Sequence, residues 1–262
     1  MRDLIARHVA ALERERGVRV LLAVESGSRA WGCPSPDSDF DVRAVYAHPP
    51  LAYLSVVPPP EQLEYFAEGR ELDVAGWELR KTLRLIGGGN ATPGEWAQSP
   101  VVYHEAPGFR QNLLATARDF ARPRKLLDHY RGVARGRIGE ARAGDEVKLK
   151  RVCYALRAAL AGRWIIAHAR DAEGALPPMT FADLLPAAGD DTVGTRIEEL
   201  LARKAAVDEA YVWRLDAPLD AWLRDTLAEL DAAAPGLAAL DPVGADRDAL
   251  DATFRRWANL AA

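Results

Sequence analysis

The residues best suited to chemistry lie between positions 25 and 43. A Gly27-Ser28 turn follows the apolar run 18–24, and Asp39 and Asp41 come after the turn. Glycine lets the backbone approach a ligand closely, and a helix that begins near Ser28 presents free N–H groups to a phosphate. Two carboxylates two residues apart on a strand share one face and repel each other unless a cation binds them. The segment therefore predicts phosphate binding at the turn and a divalent metal such as Mg²⁺ at the aspartates.

Two other motifs with similar residues are excluded by single positions. A calcium loop would require glycine and glutamate where Val42 and His48 stand. A phosphate-binding P-loop would require lysine and a hydroxyl residue where Cys33 and Pro34 stand. An ordinary polar strand face remains the alternative interpretation of the Asp-x-Asp pair taken alone.

The hydrophobic pattern predicts the elements that must position these residues. The front of the chain alternates short elements, with strands over 18–24, 39–46 and 70–75 and helices over 3–16, 28–31 and 77–86. From about residue 107 onward the pattern predicts helices over 108–120, 123–137, 145–170, 193–207, 219–232 and 245–259. The pattern therefore indicates an α/β front half with a helical back half.

Composition places the chain among ordinary globular proteins, with 49% hydrophobic residues, 27% charged residues and a net charge of -4. Cys33 and Cys153 are too few for a disulfide framework, and neither a signal peptide nor a membrane helix is predicted. We expect a cytoplasmic protein without a membrane partner. Residues 110–170 carry 15 Lys and Arg against five Asp and Glu. This excess fits either a surface for an anionic ligand or solvated helix faces.

Three segments together resemble a known family of enzymes. They are residues 25–32 (ESGSRAWG), 35–43 (SPDSDFDVR) and 72–81 (LDVAGWELRK). The order of strand, Gly-Ser turn and Asp-x-Asp resembles the nucleotidyltransferases of the DNA polymerase beta superfamily. The combination is similar to predicted nucleotidyltransferases associated with RNA ligases and RNA repair, and the likeness extends through 95–103 and 148–157 to cover roughly residues 18–205.

The resemblance implies an α+β protein with a polymerase beta-like fold, in which a small mixed sheet flanked by helices is followed by an all-helical domain. The first part would be a nucleotidyltransferase catalytic domain over 1–106, and the second a helical substrate-binding domain over 107–262. It also implies three catalytic carboxylates that bind two Mg²⁺ or Mn²⁺ ions. Asp39 and Asp41 match two of them, and Asp73 matches the third by position, with Glu71 as the second choice. A core aspartate with an ordinary partner is the alternative for Asp73.

Further residues are candidates for nucleotide binding. Gly27, Ser28 and Arg29 would hold the outer phosphates, although Arg29 can equally be a surface arginine. In the helical part the resemblance points to a basic helix that would close over the nucleotide. Four of its residues are candidates to contact triphosphate and base: Lys148, Lys150, Tyr154 and Arg157. Positions 150, 154 and 157 share one helix face, and a solvated face with Tyr154 in the core is the alternative.

The resulting hypothesis is a nucleotidyltransferase that moves an NMP from an NTP such as ATP to a hydroxyl, on RNA, with release of pyrophosphate. A protein side chain or a small molecule is an alternative acceptor. A non-catalytic module that binds nucleotide or RNA is an alternative of a different class. The sequence leaves the base preference and the oligomeric state open.

Overall fold

The structure is a computed structural model, and it describes residues 1–66, 72–171, 176–241 and 246–260. The chain forms two compact units from interleaved segments. The first, here called the sheet unit, consists of Met1–Ala30, Asp39–Phe120 and Val243–Ala262, and the second, the helical unit, of Trp31–Ser38 and Ala121–Pro242. These units consist of other segments than the two domains predicted on either side of residue 106. That division into domains stays a prediction. None of the helices in the described ranges is both long and apolar enough to span a membrane.

The sheet unit is built on a five-stranded mixed sheet with the order β3-β4-β2-β1-β5. Only the β2–β4 pair is parallel within this sheet, and its register places Asp41 beside Asp73. The five strands are β1 Arg19–Glu25, β2 Phe40–Ala47, β3 Gln62–Phe66, β4 Leu72–Glu78 and β5 Val102–Glu105. Because β2 and β4 run the same way, their first residues lie at the same edge of the sheet.

Alternation along the two central strands separates a core face from a polar face. Val42, Ala44, Leu72 and Val74 are buried in one apolar cluster, to which helix α1 (Arg2–Arg16) contributes Ile5, Val9 and Leu12. The intervening residues of β2 and β4 point to the opposite face, because successive side chains of a strand alternate. Asp41, Arg43 and Asp73 therefore share the polar face of the sheet.

The helices of the sheet unit begin and end where local chemistry requires it. Gly17 ends α1 in the left-handed conformation, with φ 62°. Glu78 caps helix α3 (Leu79–Gly87) by accepting a hydrogen bond from the Lys81 N–H at 3.0 Å. The predicted start of this helix at Trp77 was therefore wrong, since β4 continues through Glu78. The other helices of this unit are α2 Gly27–Trp31, whose last residue belongs to the helical unit, α4 Thr92–Gln98, α5 Phe109–Asp119 and α11 Arg247–Trp257.

The helical unit is organised around the long buried helix α7 (Leu149–His168). At Gly162 a Cβ would lie 2.6 Å from the Leu230 Cδ1 of α10, so glycine permits the close approach of these helices. The remaining helices are α6 Pro123–Ile138, α8 Phe181–Leu184, α9 Asp191–Ala205 and α10 Ala217–Leu237. Both cysteines, Cys33 and Cys153, are free and buried here.

The predicted α+β class is confirmed, with two local differences in the helical unit. The helix predicted over 145–170 begins only at Leu149, because residues 146–148 form a strand. This strand, β6 (Glu146–Lys148), pairs antiparallel with β7 (Val212–Arg214). The predicted all-helical part therefore also contains a two-stranded sheet.

Candidate active site

The turn after β1 is tied directly to the strand that carries the acidic residues. The Ser26 N–H donates to the Asp41 carbonyl oxygen at 2.8 Å. Gly27 follows with φ 61°, and a Cβ at this position would overlap the Asp41 Oδ2 atom. Glycine is thus required here for its backbone conformation and for the space that the Asp41 carboxylate takes.

Asp41 and Asp73 are brought together by the parallel pairing of β2 and β4. They are register partners on adjacent strands, on the polar face of the sheet. One nitrogen atom, Nη2 of Arg43, donates to Asp41 Oδ1 at 2.9 Å and to Asp73 Oδ2 at 2.8 Å. The two carboxylates therefore share a single cationic group, which offsets the repulsion between them.

A buried glutamate and a tyrosine support Asp41 from the neighbouring strands. Glu25 is 1% exposed, and its Oε1 accepts a hydrogen bond from the Asp41 N–H at 2.8 Å. The Tyr103 hydroxyl of β5 donates to the other carboxylate oxygen of Glu25. Burial raises the pKa of Glu25, while the bonds from Tyr103 and Asp41 act in the opposite direction. Glu25 thus fixes the backbone of Asp41 rather than its carboxylate.

Asp39 and Arg29 lie together where β2 begins. Asp39 is exposed and directly precedes β2. The Arg29 Nε donates to the Asp39 carbonyl oxygen at 3.0 Å, and the guanidinium lies 3.9 Å from the centre of the Phe40 ring. Ser28, in the same short helix as Arg29, is buried. Arg29 therefore joins the turn to the start of the acidic strand.

Two of the three predicted metal ligands fit a shared divalent cation. Among the described residues, no group of three or more His, Cys, Asp or Glu side chains is arranged to hold a metal ion. Asp41 and Asp73 nevertheless already share one cationic nitrogen, which occupies the position of a cation between two carboxylates. Mg²⁺ is commonly bound by one or two carboxylates together with substrate phosphates, so this pair suits it. Glu71, the second choice for the third carboxylate, lies outside the described residues.

The predicted nucleotide-binding residues of the basic helix belong to the helical unit. Lys148 is exposed and ends β6, one residue before α7 begins. Lys150 forms an ion pair with Glu209 at 3.0 Å. Both lysines keep some exposure, and the side chain of Lys150 is 40% exposed.

Tyr154 and Arg157 contact the same aromatic side chain of this unit. The Tyr154 ring meets Trp31 edge-on at 4.8 Å, and the Arg157 guanidinium lies 4.3 Å from the centre of the Trp31 ring. Arg157 is 4% exposed, and its Nε donates to the Met179 carbonyl oxygen at 2.9 Å. These contacts hold Trp31, the residue that ends α2.

The segment between Trp31 and Asp39 is anchored by a buried lysine and its carboxylate partner. Lys204 is 1% exposed and donates to Ser35 Oγ at 3.0 Å and to Glu209 Oε1 at 3.2 Å. The Ser38 hydroxyl donates to the same Glu209 oxygen at 2.7 Å. Burial alone would raise the pKa of Glu209, but the bonds from Ser38 and Lys150 and the charge of Lys204 hold it at about 2.

Sequence reasoning overlooked Arg43, Glu25 and Tyr103 as members of the site. Arg43 carries a usable signal, because it follows Asp41 by two residues and therefore lies on the same strand face. Glu25 ends an apolar strand, which marks it as a buried polar residue in need of a partner. That partner, Tyr103, depends on the pairing of β5 with β1, which the strand pattern did not predict.

The mixed sheet, with its Gly-Ser turn ahead of paired carboxylates, defines the class of polymerase beta-like folds. A model of the RlaP family, described as the RNA repair pathway DNA polymerase beta family, matches residues 1–256. The chain is 37% identical over 210 residues to the uncharacterized protein YcgL of Bacillus subtilis (strain 168). The aligned residues make up 80% of this chain and 78% of that protein. The chain belongs to the RNA repair pathway DNA polymerase beta family, and the resemblance found in its sequence is confirmed.

Substituting Gly27 tests the close approach of the turn to Asp41. Gly27→Ala should lower the free energy of unfolding by about 2 to 4 kcal/mol, because it adds a clash with Asp41 to the cost of positive φ. Gly17→Ala is the matched control, since Gly17 has φ 62° and open space around a Cβ. It should cost only about 1 kcal/mol. Urea unfolding measures both, and equal losses would contradict the close approach.

Glu25 variants test the support of Asp41. Glu25→Ala should lower the free energy of unfolding by about 2 to 4 kcal/mol, because two buried donors lose their acceptor. Glu25→Gln keeps an oxygen for the Asp41 N–H and should cost less than about 1.5 kcal/mol. Denaturant titration of the two variants gives the comparison, and a Gln variant as unstable as the Ala variant would rule out the hydrogen-bonding role.

Glu209 should make stability depend on acidity. Its folded pKa of about 2 lies below the ordinary value of 4.5, so its stabilisation is complete above about pH 5 and is lost as the pH falls toward 2. The wild type should exceed Glu209→Gln in stability at pH 7, and this gap should shrink by about 1 to 2 kcal/mol at pH 3. Urea unfolding of both proteins from pH 7 to pH 3 measures the gap, and a constant gap would contradict the assignment.

Proposed function

We propose that the protein is a metal-dependent nucleotidyltransferase that moves an NMP from an NTP to a hydroxyl of RNA. The observation that carries the proposal is the placement of Asp41 beside Asp73, with both carboxylates held to one cationic nitrogen. Membership of a DNA polymerase beta family of an RNA repair pathway supports both the reaction type and the RNA acceptor.

The proposed roles follow from the position of each residue. Asp41 and Asp73 would hold the divalent ion, Mg²⁺ or Mn²⁺, and Asp39 would join them when the nucleotide is bound. Gly27 and Ser28 would receive the outer phosphates at the turn, with Arg29 beside them. When bound, the metal neutralises phosphate charge and makes the attacking hydroxyl a better nucleophile.

The proposed reaction needs no reactant besides the NTP and the acceptor hydroxyl. The hydroxyl oxygen of the acceptor attacks the α-phosphorus, a new phosphodiester bond forms, and the bond to the β-phosphate breaks with release of pyrophosphate. Asp73 is the group that we assign to receive the proton of the hydroxyl. The chain contributes mainly by positioning and by charge, as is general for phosphoryl transfer.

Lys148, Lys150, Tyr154 and Arg157 of the helical unit stay proposed nucleotide-binding residues. Lys148 is exposed and the Lys150 side chain is 40% exposed, so we assign the phosphate contacts to these two cations. Tyr154 and Arg157 would act indirectly, because they contact Trp31 at the end of α2, the short helix whose start we assign to the phosphates.

Transfer to RNA is tested with each of the four NTPs, labelled at the α-phosphate, together with Mg²⁺ and a total RNA pool. We expect labelled RNA, and we expect Asp41→Asn, Asp73→Asn and Asp39→Asn each to reduce labelling at least about a hundredfold. Asp3→Asn is the control, because Asp3 is an exposed aspartate of α1 in the same unit. Sizing of the products on a gel measures the transfer.

The outcomes of this assay separate the acceptor classes. Label on protein or on a small molecule instead of RNA would keep the reaction type and replace the acceptor. Tight NTP binding without transfer to any acceptor would favour the non-catalytic module. Wild-type transfer by Asp41→Asn or Asp73→Asn would contradict the assignment of the metal ligands.

A further inference from the structure

The Arg43 guanidinium lies between the two aspartates of the polar face, and its position has a consequence for metal binding. Its Nη2 atom lies 2.9 Å from Asp41 Oδ1 and 2.8 Å from Asp73 Oδ2. Its Nη1 atom donates to the carbonyl oxygens of Val42 at 3.1 Å and Asp73 at 3.3 Å. The side chain is 20% exposed. The guanidinium is thus held by four acceptors between the carboxylates.

The position of the guanidinium conflicts with a divalent cation. A Mg²⁺ ion shared by Asp41 and Asp73 through these two carboxylate oxygens would lie about 2.0 to 2.1 Å from each of them. The nitrogen atom that now contacts both oxygens fills the space between them, and a positive charge beside a metal ion is repelled. Arg43 and a metal therefore compete for one position.

We propose that Arg43 is a built-in counterion that closes the metal site of the free protein and gives way to the metal only when nucleotide enters. This inference rests on the proposed function, because it assigns the metal to Asp41 and Asp73. The displaced guanidinium stays on the same strand face, and a guanidinium binds phosphate oxygens well through its planar fork. The triphosphate thus supplies the new partner that Arg43 needs, so metal and nucleotide enter together.

This competition lowers the metal affinity of the free protein, and the size of the reduction can be measured. When the binding-competent state is a minor fraction, the apparent dissociation constant rises by the inverse of that fraction. Removing the guanidinium should therefore tighten metal binding without nucleotide. An ion pair away from Asp41 and Asp73 would have no such effect, since its loss would change stability alone.

The test measures how tightly the full chain binds Mn²⁺ in the absence of nucleotide. The electron paramagnetic resonance signal of free Mn²⁺ reports the binding. Arg43→Gln should bind Mn²⁺ at least about tenfold more tightly than the wild type. Arg84→Gln is the matched control, because Arg84 pairs with Glu61 on the exposed surface of the same unit, and it should bind as the wild type does. Adding Asp73→Asn to Arg43→Gln should abolish the gain.

A second variant keeps the test decisive if Arg43→Gln folds poorly. Arg43→Lys retains one positive charge but lacks the fork that spans both carboxylates, so it should tighten Mn²⁺ binding by about threefold. Mn²⁺ binding to either folded variant no tighter than to the wild type would overturn the inference. If transfer to RNA depends on Asp41 and Asp73 while these affinities stay equal, the inference about Arg43 fails alone. If neither transfer nor Mn²⁺ binding depends on these aspartates, the proposed function fails as well.

Discussion

The structure depends on one electrostatic constraint, the placement of two aspartates side by side on parallel strands. Neighbouring strands lie about 4.8 Å apart, so register partners cannot avoid each other. Asp41 and Asp73 are such partners, and Arg43 supplies the cation that their proximity requires. A pair of like charges at this distance is costly for stability unless a cation lies beside it.

The elements around this pair fix its geometry from both sides of β2. On the β1 side, Glu25 accepts from the Asp41 N–H, and Gly27 leaves room for the Asp41 carboxylate. On the β4 side, the parallel register places Asp73 beside Asp41. Helix α3 begins directly after this strand, where Glu78 caps it. The apolar face of the same two strands packs with α1, so the buried core and the polar site are two faces of one pairing.

The sequence was sufficient to predict the central strands and the position of Asp41 on one of them, because their period-2 pattern and turn glycine are local signals. It missed β3, α4 and β5, which are short and gain their stability from neighbours that are distant in the chain. The end of β4 was predicted at Ala75 and the next helix from Trp77, because the apolar pattern there fits a strand and a helix equally well. The Arg43 bridge required the parallel register, and strand order is not encoded in any single segment. The basic helix face was predicted from spacing, yet burial of Arg157 against Trp31 depends on tertiary packing.

We propose that Asp41 and Asp73 jointly hold the divalent cation of a nucleotide-bound enzyme. Fe²⁺ can replace Mg²⁺ at such sites, and with ascorbate and peroxide it cleaves the polypeptide backbone next to the bound ion. Mapping the fragments of the full chain in the presence of NTP locates the ion directly. Two cleavages are expected, near residues 41 and 73, and both should vanish when excess Mg²⁺ is added. Cleavage at other segments only, or at one of the two strands without the other, would contradict it.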